Sequence, residues 1–118
     1  MMNGYLDPTS GPATIMVSGL PPAIASGGYD VYLYASGDDP SGTRTYGYAI
    51  GAMSISFSQT GPSPSTFLGY TLAAAGLGNY TVFHGVTGTS FVLTATPGDG
   101  VPSRAPVNGI QIVSSAGP

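Results

Sequence analysis

The segment Met53-Ser54-Ile55-Ser56-Phe57-Ser58-Gln59 alternates large apolar residues with serines and a glutamine. Successive side chains of a strand point to opposite faces, so this pattern predicts a half-buried antiparallel strand with Met53, Ile55 and Phe57 on the core side. Phe91, Leu93 and Ala95 alternate in the same way with Val92, Thr94 and Thr96, and Ile110 shares a side with Ile112. In all, eight strand-like runs are read at 13–19, 29–36, 43–50, 53–59, 66–73, 79–86, 90–96 and 108–114. The 19 glycines and 11 prolines concentrate between the runs, where turns are needed. The best helical candidate, Leu72 to Leu77, is interrupted by Gly76 and flanked by Gly69 and Gly78, so a single turn is the most it should form.

These signals predict an all-β fold: a two-sheet antiparallel β-sandwich of jelly-roll or Greek-key type with about eight strands. A chain of 118 residues reads as one domain, with 1–12 and 114–118 as flexible ends and Gly61 to Ser65 as a surface loop.

Five aspartates against Arg44 and Arg104 give a formal net charge of −3, with no lysine, no glutamate and no cysteine. Nucleic acid and anionic membranes select clustered cations, so neither is an expected partner. No apolar stretch approaches the ~20 residues of a spanning helix, and no basic start leads into an apolar run of the signal-peptide type. Catalysis finds little to work with. Glycoside hydrolysis uses two placed carboxyl groups, a serine nucleophile needs a base and an orienting acid, and the aspartates here sit mostly in turns.

Tyrosine is the dominant large side chain, and two runs carry same-face pairs: Tyr32 with Tyr34, and Tyr46 with Tyr48. Gly37-Asp38-Asp39-Pro40-Ser41-Gly42 is a turn signal between these runs, which predicts a hairpin. With Tyr34 opposite Tyr46, all four rings would share one face with Asp30 and Arg44, and Val31, Leu33 and Ala35 would form the core side. Sugars present axial C–H patches to aromatic rings and equatorial hydroxyls to polar tips, and tyrosine supplies both kinds of contact. Gln59 and His84 are further candidate polar contacts. His84 alternates with Tyr80, Val82 and Val86, while Tyr5, Tyr29, Tyr70 and Tyr80 are assigned to core or edge packing.

Tyr29 to Asp38, Asn79 to Gly85 and Arg104 to Val113 together resemble the β-sandwich carbohydrate-binding modules of bacterial endoglucanases, closest to carbohydrate-binding module family 81. The resemblance implies a secreted, non-catalytic module. It would bind cello-oligosaccharides, mixed-linkage β-glucan or xyloglucan and keep a covalently linked endoglucanase domain near its substrate. Absence of tryptophan favours single chains over crystal surfaces. Asp38, Asp39 and Asp99 lie in glycine-rich loops of the kind calcium uses, so a structural Ca2+ is a further expectation. The competing reading is a structural or adhesive sandwich, a spacer whose tyrosines serve packing or protein contacts.

Overall fold

The structure, a computed structural model, describes residues 6–36, 43–60, 69–73, 78–98 and 104–115. Within them, seven strands build two antiparallel sheets. One sheet runs in the order β1 (Ala13–Val17), β6 (Phe91–Pro97), β3 (Thr43–Ile50) and β4 (Met53–Thr60). The other runs β5 (Tyr80–Val86), β2 (Tyr29–Tyr34) and β7 (Gly109–Ser114). A single helical turn, α1 (Pro22–Ala25), precedes β2 with proline in its first turn, where a missing N–H costs nothing.

Alternation decides what lies between the sheets. β2 contributes Tyr29, Val31 and Leu33; β3 contributes Tyr46, Tyr48 and Ile50; Phe57, Phe83, Val86, Phe91, Leu93 and Ala95 complete most of the core. The serines of β4 turn away from it, as the sequence pattern predicts. Two of the polar tips carried inside are satisfied by loop carbonyls: the Tyr29 hydroxyl donates to Gly88 O at 3.1 Å and the Tyr48 hydroxyl to Pro106 O at 2.6 Å.

The architecture matches the expected sandwich, but the pairing of β2 does not. The predicted hairpin between 29–36 and 43–50 is absent: β2 lies between β5 and β7, and β3 between β6 and β4 in the opposite sheet. In the predicted register the core side of β3 would have been Thr45, Gly47 and Ala49, with Tyr46, Tyr48 and Ile50 left in water. Placing the two strands in facing sheets lets each bury its larger apolar set.

Smaller departures follow from local pairing. In place of the strand expected at 66–73, the described residues 69–73 form only an isolated bridge, Leu72 to Tyr80. The segment before β1 is tied down from Leu6 onward, by a bridge to Val107 and an Asp7–Arg104 ion pair at 2.8 Å. Between Tyr29 and Val31 the β2–β5 register shifts by one residue, so His84 and Gly85 together oppose Asp30. Gly85 takes φ +71°, and beyond this bulge Val86 faces the core, on the opposite side from His84.

Candidate functional site

The outer face of the three-stranded sheet carries the only concentration of aromatic rings outside the core among the described residues. Because Tyr29, Val31 and Leu33 occupy the inner side of β2, the intervening Asp30, Tyr32 and Tyr34 must point outward. Register then fixes their neighbours: Tyr34 stands between Tyr80 and Gly109, and Tyr32 between Val82 and Gln111. Asp30 sits beside the bulge on one side and Val113 on the other.

Tyr34 is the hub of the rings. It lies 5.7 Å from Tyr80, close to parallel at 30°, and 4.8 Å from Tyr70, edge-on at 61°. Its hydroxyl donates to Gln111 Oε1 at 3.0 Å; Gly109, its cross-strand partner, puts no side chain in the way. All three tyrosines on the sheet are half-buried, and Tyr70 is exposed, so ring surface remains open to a ligand.

At the other end of the face Asp30 accepts the Gly85 N–H at 3.1 Å and pairs with His84 Nδ1 at 3.0 Å. The Gly85 N–H, foremost, then His84 and Ser115, hold the Asp30 carboxyl below the usual range for aspartate. An ionised carboxylate only accepts, so Nδ1 is the donor in this pair. His84 is 74% exposed and presents its ring to solvent. At the opposite end, burial, with a smaller contribution from Tyr34, raises the Tyr70 phenol above its ordinary pKa.

Of the residues singled out from sequence, Tyr32, Tyr34, Asp30 and His84 come together here. Tyr46 and Tyr48 do not: they are 0% and 2% exposed between the sheets, packed against Phe57. Their assignment to a ligand face is corrected by the absence of the hairpin that would have aligned them with β2. Arg44 and Gln59 oppose each other in the β3–β4 register, in the other sheet from Asp30, so they do not join this face; their side chains lie outside the described set. Asp38, Asp39 and Asp99, the expected calcium ligands, also lie outside the described residues.

Three members of the face escaped sequence reasoning. Tyr80 shares the alternation of Val82 and His84, and Gln111 interrupts Ile110 and Ile112; both signals were present. Tyr70 reaches the face from a loop, for which periodicity has no information. No family model, curated protein or solved structure matches the chain.

Proposed function

We propose that the chain is a non-catalytic carbohydrate-binding module, and that single β-glucan chains rest on the outer face of β5, β2 and β7. Tyr32, Tyr34, Tyr80 and Tyr70 supply stacking surface; Gln111, His84 and Asp30 supply hydrogen bonds to hydroxyls. The reading rests on one observation above all. A cluster of tyrosines, with polar side chains at its margins, sits on the side of the sheet that the core does not need.

Dimensions suit a polymer of hexoses. Residues two apart on a strand are ~7 Å from each other and neighbouring strands ~4.8 Å, so the rings span more than one sugar unit. If sugar stacking resembles base stacking, each ring contributes roughly 1–3 kcal/mol before ordering costs, which gives affinities of about micromolar to millimolar. Neither carboxyl group on the described elements is poised as a general acid. Asp7 lies against Arg104, and Asp30 is held ionised. In a longer protein such a module would keep a linked glycoside hydrolase close to its polysaccharide.

Affinity electrophoresis in gels cast with cereal β-glucan, xyloglucan or xylan tests the proposal. Retardation in the glucans, lost in Tyr34→Ala, is the expected result. Unchanged mobility of the wild type in every gel would replace it with the spacer reading, and release of reducing sugar by the isolated chain would replace it with an enzyme.

A further inference from the structure

Tyr70 is the one ring of the cluster that no strand supplies. Its position is set instead by a side chain from the start of the neighbouring segment. Asn79, 8% exposed, donates from Nδ2 to Gly69 O at 3.1 Å and accepts the Thr71 N–H on Oδ1 at 2.5 Å. One carboxamide therefore grips the peptide groups on both sides of Tyr70. Main-chain bonds reinforce the grip: Asn79 N and Tyr80 N both donate to Thr71 O, and Ala73 N donates to Tyr80 O. Asn79 is itself anchored to the tyrosine strand, because its carbonyl accepts the Ala35 N–H at 2.8 Å. A continuous path of hydrogen bonds thus runs from the end of β2 through Asn79 to the backbone of Tyr70, and returns to β2 as the Tyr70–Tyr34 ring contact.

A buried carboxamide with both ends committed holds the loop firmly, because releasing either end would leave a buried polar group unpaired. The orientation of the ring it holds is also informative. Tyr80 lies within 30° of Tyr34, whereas Tyr70 is turned by 61°, so the three rings cannot lie against a single plane. A crystalline polysaccharide offers only a plane. A free chain, which twists from one sugar to the next, can meet rings of different tilt.

We propose that Tyr70 is a ligand-contacting ring that selects free glucan chains over flat crystalline surfaces, and that Asn79 is the positioning residue that holds it in place. This deepens the glucan-binding reading and rests on it.

The test compares wild type, Tyr34→Ala, Tyr70→Ala, Asn79→Ala and Tyr70→Ala/Asn79→Ala by calorimetric titration with cellohexaose and by depletion onto microcrystalline cellulose, with thermal unfolding of each. Tyr70→Ala should bind cellohexaose about 5- to 30-fold more weakly, with its uptake on crystalline cellulose no lower than that of wild type. Asn79→Ala should weaken cellohexaose binding in the same direction, and adding it to Tyr70→Ala should weaken binding no further, since the ring it positions is gone. Should Asn79→Ala not fold, Asn79→Asp keeps the acceptor for Thr71 N–H, removes the donor to Gly69 O, and takes its place in the same cycle.

If wild type binds and Tyr34→Ala does not, while Tyr70→Ala matches wild type, the glucan reading stands and the role of Tyr70 is overturned. Equal and additive losses from Asn79 substitution with and without Tyr70 would overturn its positioning role. A wild type that binds neither ligand removes the glucan reading itself, and the inference with it.

Discussion

Two Tyr-x-Tyr pairs end in opposite surroundings. Tyr46 and Tyr48 are sealed between the sheets, whereas Tyr32 and Tyr34 lie on the outside of one of them. What differs is the company in the alternate positions. On β2 the competitors for the core are Val31 and Leu33, which are wholly apolar, so the amphipathic phenols yield to them. On β3 the competitors are Thr45, Gly47 and Ala49, which fill little space, and the tyrosines take the inside. Tyr29 makes the same point within β2 itself: its parity matches Val31, and it is buried. A tyrosine pair alone thus has no fixed side; the residues between and around it assign one.

The sharpest break in this comparison is a matched pair of truncations. Tyr48→Ala removes a buried ring and leaves Pro106 O without its donor, so it should cost about 3–5 kcal/mol in urea unfolding. Tyr32→Ala removes a half-exposed ring on the outer face and should cost less than about 1 kcal/mol. Equal losses in the two variants would mean that inside and outside have been misassigned. Tyr34→Ala belongs between them, since its contacts with Tyr70 and Tyr80 are worth roughly 0.5–1.5 kcal/mol each beyond simple burial.

That pair of variants also separates what was legible in the sequence from what was not. Strand existence and inner faces were readable at Met53 to Phe57 and at Phe91 to Ala95, because a period of two reports which residues share a side. The same period is silent on which strand lies next door. β2 pairs with β5 and β7, some 50 to 80 residues later in the chain, and the turn-rich segment after Ser36 suggested a nearer partner that the core rejects. Half of the candidate residues come together on one face for the same reason: Asp30, Tyr32, Tyr34 and His84 depend only on the parity of their own strands. Tyr46 and Tyr48 depended on a pairing, and that failed. Parity itself is broken at the bulge, where Val86 was expected beside His84 and faces the core instead.

The bulge provides the next test. Gly85 has φ +71°, and a Cβ built there meets nothing within 4 Å, so Gly85→Ala carries backbone strain without a clash. The expected loss is about 1–2 kcal/mol of stability, with the fold retained. Gly78→Ala is the contrasting case: its Cβ would come within 2.5 Å of the Ala73 backbone, forcing the 69–73 segment to move. The two glycines lie at opposite ends of β5. Strain at Gly85 should therefore leave the Tyr70–Tyr34 contact intact, while the clash at Gly78 should disturb it, a difference that aromatic NMR shifts of Tyr34 would report.

The smallest expected effect comes from Asp30, whose charge sits at the exposed margin of the outer face, while the Tyr29 and Tyr48 hydroxyls inside bond to neutral carbonyls. Its native pKa is lowered, first by the Gly85 N–H and then by His84, so protons bind the unfolded chain more readily than the folded one. The ionised carboxylate therefore contributes its full stabilisation above the unfolded value of about 3.9, and that contribution is lost as pH falls from there through the lowered native value. Asp30→Asn retains an acceptor for Gly85 N–H but has no charge to lose. Melting temperatures of wild type and variant should differ at about pH 6 and draw together as pH falls below about 3.9. A gap of constant size across that range would show that the bulge needs the shape of Asp30 and not its charge.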